Sequence, residues 1–175
     1  ARHDAGLDAQ APEAFGDGEL GDYVFAGGRI NDLKRQSLLI EALVHAPSNV
    51  RLVVAGPADS KDVEQNLRQL VAKLGVEDRV TLDIRFLPRE TYASYVRGAR
   101  AVAYLPFDED SLGYVAMEAA TAGKAIIATT DSGGILGLAR DGETGWVASP
   151  DARSLANALT SACANSSVAR TRGLG

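Results

Sequence analysis

The feature that most constrains the fold is an alternation of short apolar runs with segments that are apolar on one helical face. Val50–Ala55 is apolar apart from Arg51 and ends at Gly56-Pro57, whereas Asp62–Leu74 carries apolar residues at helical spacing. Similar patterns predict strands at 23–27, 50–55, 79–84, 101–105, 125–128 and 146–147, and helices at 34–45, 62–74, 89–99, 113–122 and 150–163. Buried strands that each precede an amphipathic helix indicate a doubly wound, Rossmann-like α/β domain with a parallel sheet.

The chain of 175 residues is long enough for one such domain. Residues 1–21 are rich in Ala, Asp, Gly and Pro and show no periodicity, so we expect a linker or loosely held arm. Residues 22–163 carry the alternating pattern and form the predicted domain. Residues 164–175 lose the pattern, and we expect a frayed C-terminal segment.

Composition limits the classes of partner. The net charge of −5 argues against nucleic acid as the main partner, although a local basic site for a phosphate remains compatible with it. The single cysteine, Cys163, excludes an internal disulfide framework and favours a cytoplasmic location. No apolar run approaches the ~20 residues of a membrane span. The lack of such a run leaves peripheral association with a membrane open.

The loop after the first predicted strand contains a candidate phosphate site. Gly27 and Gly28 allow the backbone to approach a ligand, and Arg29 follows directly. Lys34 lies at the start of the next predicted helix. Two cations at a strand end can hold a diphosphate, because Arg offers a planar fork and Lys a point charge. The alternative is an ordinary turn with solvated cations.

The segment from Asp110 to Glu118 contains a second candidate site. Glu118 is the only charged residue between Ser111 and Gly123, and its neighbours are mainly apolar. A buried carboxylate is costly unless it is paired, and helical side chains lean towards the N-terminus, so Glu118 should point back over Tyr114. Free N–H groups at the helix start also suit a phosphate. The alternative is a capping side chain and a structural glutamate.

Two further loops have competing interpretations. The sequence from Asp131 to Gly134 contains two glycines, and we favour a tight structural connection there. Asp108, Glu109 and Asp110 could hold a divalent cation through oxygen ligands, as in metal-dependent sugar transferases. We favour a site without metal, because basic residues already stand where a diphosphate needs neutralising. No cluster of histidines or cysteines indicates any other metal site.

The run from Phe107 to Gly134 resembles glycosyltransferase family 4, whose members have the two-domain GT-B architecture. The family's Glu-x7-Glu motif falls on Asp110 and Glu118, and its Gly-Arg-x4-Lys motif falls on Gly28, Arg29 and Lys34. The similarity extends from about Tyr23 to Cys163. Several spaced motifs in the right order are far more specific than one alone.

The resemblance implies a function and a set of site residues. The chain would be the C-terminal, donor-binding domain of a retaining, metal-independent hexosyltransferase, with a nucleotide sugar as substrate and no cofactor. Arg29 and Lys34 would neutralise the departing diphosphate, Glu118 would bind the ribose hydroxyls, and Asp110 would contact the transferred sugar. Further binding residues would be Gly28 in the phosphate motif, Phe86 and Leu87 near the base, and Ser111, Leu112, Gly113 and Tyr114 near sugar and phosphate.

Two departures from the family pattern limit this interpretation. Asp110 is one methylene shorter than the usual Glu, which leaves the donor sugar open. The acceptor-binding N-terminal domain of GT-B enzymes has no counterpart in these residues. We therefore expect binding of a nucleotide sugar but little or no transfer by this chain alone. The alternatives are a non-catalytic nucleotide-binding module and a GT-B relative such as a nucleotide-sugar epimerase.

Overall fold

The computed structural model describes residues 22–175, so the predicted arm at 1–21 lies outside the described residues. The strands are β1 (Tyr23–Gly27), β2 (Arg51–Ala55), β3 (Val80–Asp83), β4 (Ala101–Ala103), β5 (Ile126–Thr129) and β6 (Gly145–Ala148). The α-helices are α1 (Gln36–Leu43), α2 (Lys61–Leu74), α3 (Arg89–Gly98), α4 (Tyr114–Thr121), α5 (Ala152–Ala164) and α6 (Ser166–Gly173). A short 3-10 helix covers Gly134–Gly137.

The six strands form one parallel sheet in the order β3-β2-β1-β4-β5-β6. This order confirms the predicted doubly wound, Rossmann-like architecture. The order reverses between β1 and β4, so the loops that follow these two strands diverge there. Ligands of open α/β sheets bind at such a switch point, beyond the carboxyl ends of the strands.

Each face of the sheet has its own core, because side chains alternate along a strand. In β1, Val24 and Ala26 contribute to the core under α1, α2 and α5, whereas Tyr23 and Phe25 contribute to the core under α3 and α4. All five residues of β1 are buried. The strand β1 is therefore packed on both faces, which fixes the position at which its following loop begins.

The C-terminal segment differs from the expected frayed end. Residues Ser166–Gly173 form α6, and the side chain of Asn165 caps it by accepting from the N–H groups of Ser167 and Val168. Ala169 is buried, and Arg172 lies 4.2 Å from the centroid of the Trp146 ring. A single small buried residue gives no helical stripe, which explains why the periodicity missed this helix. None of the helices formed by residues 22–175 combines the length and apolar character that a bilayer crossing requires.

Candidate functional site

A cavity of about 580 Å³ opens at the carboxyl edge of the sheet beside the switch point. It is lined by five predicted site residues, Gly28, Phe86, Leu87, Tyr114 and Glu118, together with Gly56, Pro57, Arg89, Tyr92 and Ala93. Its wall is mainly apolar, with the carboxylate of Glu118 and the guanidinium of Arg89 as charged groups. The cavity thus combines flat apolar surface with a hydrogen-bonding carboxylate.

Gly28 brings the loop after β1 into contact with α4. Its φ is +99°, and a Cβ atom there would lie only 2.7 Å from Cγ2 of Val115 in the first turn of α4. Only glycine fits both the backbone angle and the available space. The backbone of the β1 loop therefore runs beside the amino end of α4, where N–H groups are free to meet a ligand.

The amino end of α4 has no side-chain cap. Gly113 is the N-cap residue, with a φ of +75°, and no side chain of the described residues accepts a hydrogen bond there. Unsatisfied N–H groups and the helix dipole favour an anion at this position. A capping Asp or Ser, one of the alternatives from sequence, is therefore wrong.

Glu118 points back along α4, as predicted from the lean of helical side chains. It is half-buried, and its interaction with the hydroxyl of Tyr114 raises the pKa of Tyr114. Burial raises the pKa of Tyr92, and the charge of Glu118 adds to this effect. The hydroxyl of Tyr92 has no hydrogen-bond partner among the described residues, although it is itself buried. The helix buries only Val115, Ala116 and Ala119, and its other face is more exposed than the sequence suggested.

The two predicted phosphate-binding cations are in different environments. Arg29 is 62% exposed and forms an ion pair of 2.9 Å with Asp59. Lys34 is only 20% exposed; its ammonium donates to the carboxylate of Glu109 and, at 2.9 Å, to the hydroxyl of Tyr104. Burial opposes the charge of Lys34, but these hydrogen bonds outweigh it, and the pKa of Lys34 is raised.

Tyr104 connects Lys34 to the start of α4. A Cβ atom on Gly113 would lie 2.6 Å from the Tyr104 hydroxyl, so the ring packs directly against the N-cap. The Lys34 ammonium donates to the same hydroxyl, so Tyr104 links it to the N-cap residue of α4. Apart from its position near the end of the predicted strand at 101–105, no sequence signal marks Tyr104 as a site residue.

The remaining predicted residues lie in the loop before α4 and do not line the cavity. Asp110 and Ser111 are exposed, and Leu112 is 38% exposed. The hydroxyl of Ser111 donates to Glu109 at 3.0 Å. Within residues 22–175, no group of three or more His, Cys, Asp or Glu side chains is arranged to hold a metal ion, so Asp108, Glu109 and Asp110 do not converge.

The loop from Asp131 to Gly134 has the structural role favoured from the sequence. Both carboxylate oxygens of Asp131 accept from Arg35, at 2.9 and 3.0 Å. The N–H of Gly134 donates to the carbonyl of Glu109 at 2.7 Å. The loop therefore supports the segment that precedes α4.

Fold and site together define a Rossmann-like α/β protein with a cleft of small-molecule size at its topological switch point. Residues 13–172 match the family described as glycosyl transferases group 1. The match covers most of the chain, and the chain therefore belongs to this family.

Two curated relatives are both D-inositol 3-phosphate glycosyltransferases. The protein from Xylanimonas cellulosilytica is 35% identical over 111 residues, which cover 63% of this chain and 26% of that protein. The protein from Mycobacterium sp. (strain KMS) is 36% identical over 121 residues, which cover 67% of this chain and 26% of that protein. The chain thus spans about a quarter of the length of the curated relatives it matches.

Solved structures share the fold over nearly the whole chain. HepE from Anabaena, in complex with UDP and glucose, is 25% identical with a TM-score of 0.77, over 88% of this chain and 42% of that chain. Sucrose-phosphate synthase from Thermosynechococcus elongatus is 29% identical with a TM-score of 0.77, over 86% and 38%. The C-terminal domain of the group 1 glycosyl transferase LpcC from Francisella tularensis is 24% identical and shares the fold, with a TM-score of 0.74 over 89% and 82%.

Proposed function

We propose that this chain is the donor-binding, C-terminal domain of a retaining, metal-independent hexosyltransferase of family 4 with a nucleoside diphosphate sugar as donor. The observation that carries the proposal is the cavity at the β1–β4 switch point, in which Glu118 and Gly28 share one wall with apolar side chains. HepE, which is similar in fold and sequence, was solved with UDP and glucose. The same kind of ligand fits the chemistry of this cavity.

The nucleoside would occupy the apolar part of the cavity. Phe86 is 83% exposed and offers a flat aromatic surface to a base, while the buried Leu87 forms the floor. Glu118, which lines the cavity, would accept hydrogen bonds from the ribose hydroxyls. A carboxylate that accepts two hydroxyl hydrogen bonds gives both orientation and affinity.

The diphosphate would lie between the β1 loop and the start of α4. The Gly28 backbone, the free N–H groups of α4, Arg29 and Lys34 are the groups that can neutralise it. Positive groups that are already in place stabilise the negative charge that develops on the leaving diphosphate, which is the main electrostatic contribution to such a transfer. Asp110 and the segment Ser111–Tyr114 would then contact the transferred sugar.

The acceptor would be bound by a second domain. The chain covers about a quarter of its curated relatives and 42% of HepE. In the GT-B architecture the active site lies between two Rossmann-like domains, so the donor domain alone holds only one half of it. We therefore expect this chain to bind a nucleotide or nucleotide sugar and to transfer little or no sugar.

Calorimetric titration of the 175-residue chain with UDP, GDP and ADP, without metal, tests the proposal. We expect saturable binding of one nucleotide, weakened about tenfold or more by Arg29→Ala and by Glu118→Ala, since each removes a charge-assisted contact. Arg68→Ala is the matched control, because Arg68 is a half-exposed cation on α2 outside the cavity. Robust sugar transfer by this chain would contradict the assignment as a donor half, and strict dependence of binding on Mn²⁺ would contradict the metal-independent site.

A further inference from the structure

The carboxylate of Glu109 is bound to Lys34, the residue that the proposed function assigns to the donor diphosphate. Its carboxylate forms an ion pair with Lys34, and the two side chains are 30% and 20% exposed. The Lys34 ammonium also lies 5.2 Å from the centroid of the Tyr104 ring. The cation is therefore already satisfied by an acidic residue of its own chain.

The carboxylate of Glu109 is held much as a phosphate would be. It accepts from Lys34, from the Ser111 hydroxyl at 3.0 Å, and from the Tyr104 hydroxyl at 3.4 Å to either oxygen. The hydrogen bond from Lys34 is the main reason that the pKa of Glu109 is lowered, so Glu109 is an anion at neutral pH. Three donors thus converge on one internal negative charge beside the start of α4.

The backbone of Glu109 is fixed, whereas its side chain can move. The Glu109 carbonyl accepts from Gly134, and its N–H donates to Ser132 at 3.3 Å, which ties the main chain to the loop after β5. The side chain has three rotatable bonds and is 30% exposed, so it has room to turn towards solvent. Rotation about these bonds would free Lys34 without any change in the loop.

We propose that Glu109 is an internal anion that occupies the proposed phosphate site and must leave Lys34 when a donor diphosphate binds. The inference rests on the proposed function. Two anions cannot share one ammonium without strong repulsion, because like charges at close range disfavour each other's ionised form. Glu109 therefore lowers the affinity for every nucleotide whose phosphate binds Lys34. Its return to Lys34 would also assist release of the nucleoside diphosphate product.

The test is a calorimetric titration of the nucleoside diphosphates UDP, GDP and ADP into the wild type, Glu109→Gln, Lys34→Ala and the double variant. We expect Glu109→Gln to tighten binding about tenfold, since the competing charge is removed at contact distance from Lys34. Asp108→Asn is the matched control for long-range charge, because Asp108 is an exposed carboxylate one residue earlier and is not a hydrogen-bond partner of Lys34. It should tighten binding less than about threefold. When Lys34 is already replaced by alanine, Glu109→Gln should increase nucleotide affinity no more than Asp108→Asn does in the wild type.

The outcomes separate this inference from the proposed function. If the wild type binds a nucleotide and Glu109→Gln binds it equally well or more weakly, Glu109 is no competitor and the inference is wrong, while the donor-domain assignment stands. If none of the variants binds a nucleotide, the proposed function fails and the inference falls with it. The glutamine of Glu109→Gln can still accept a hydrogen bond from Lys34, so Glu109→Ala is tested as well. It should also tighten binding, and thermal unfolding checks that this variant is folded. Binding by Glu109→Gln where the wild type binds nothing would support both.

Discussion

At the scale of single residues, Arg35 holds the loops of the site together. Its guanidinium donates to the carbonyls of Leu105 and Pro106, at 2.8 and 3.1 Å, and to both carboxylate oxygens of Asp131. It also donates to the Thr129 hydroxyl at 2.9 Å. The entry to α1 is thereby fixed to the ends of β4 and β5. Arg35 has a φ of 56°, a left-handed conformation that is unfavourable for a residue with a Cβ atom.

Arg35→Ala and Arg35→Gly separate the side-chain hydrogen bonds from the backbone strain. Both remove the guanidinium and leave Asp131 without its ion-pair partner, so each should lower the free energy of unfolding by about 2–4 kcal/mol. The glycine variant should be more stable than the alanine variant by roughly 0.5–1 kcal/mol, because glycine adopts the left-handed conformation without strain. The greater flexibility of glycine in the unfolded chain offsets part of this gain. Urea unfolding of the two variants measures this difference. A glycine variant less stable than the alanine variant would show that the backbone angle is not strained.

The structure shows which contacts of single residues can be predicted from sequence. The orientation of Glu118 over Tyr114 follows from the lean of side chains within one helix, and it was predicted. The contact between Lys34 and Glu109 joins residues 75 positions apart and depends on how two loops meet. No local sequence pattern around Lys34 or Glu109 identifies the other residue as its partner. The same is true of Arg35 and Asp131, which are 96 positions apart.

At the scale of secondary-structure elements, packing decides where periodicity gives no signal. The boundaries of all six strands and of the helices α1–α5 lie within two residues of those predicted from apolar spacing. The helix α6 was missed because its contacts are made by polar or small residues. Arg172 lies over the Trp146 ring and donates to the Gly145 carbonyl at 3.0 Å. Such a contact depends on β6, which lies in a distant part of the sequence.

Arg172→Ala should therefore loosen α6 from β6. The variant loses a cation–π contact and a hydrogen bond, and we expect the free energy of unfolding to fall by about 1–2 kcal/mol. Trp146 is the only tryptophan of the chain, so its fluorescence reports the change directly. Arg170→Ala is the matched control, because Arg170 is an exposed arginine on the same helix away from Trp146. Equal effects of the two substitutions on Trp146 emission would argue against the contact as the anchor of α6.

At the scale of the whole molecule, the two edges of the sheet differ in what they hold. The carboxyl edge carries the candidate site, and its position was predictable because it follows from strand order alone. The opposite edge carries a second, basic groove that includes Arg97, Arg100, Lys124 and Arg170. Lys124 connects α4 with β5 and donates to the carbonyls of Arg97 and Ala99, at 2.6 and 3.1 Å. It thus satisfies the carboxyl end of α3.

The environment of Lys124 predicts a pH dependence of stability. Burial, with a further contribution from the charge of Arg170, lowers the pKa of Lys124 from its usual 10.5 to about 8. Between these two values the unfolded chain binds more protons than the folded domain, so the contribution of Lys124 to stability grows as the pH rises through this window. Below about pH 8 the charged ammonium is present in both states and its burial costs free energy.

Lys124→Met retains the length of the side chain but cannot titrate, so a comparison of the two proteins isolates this effect. Urea unfolding at pH 7, 8, 9 and 9.5, followed by Trp146 fluorescence, measures the difference in free energy of unfolding between wild type and variant. We expect the difference to be constant at the lower values and to shift in favour of the wild type above about pH 8. The buried Tyr95 loses its proton only at higher pH and is common to both proteins, so it cancels. Arg170→Ala should reduce the shift, because it removes the neighbouring positive charge. A difference that stays flat from pH 7 to 9.5 would mean that Lys124 remains a normal, hydrated ammonium at the edge of the groove.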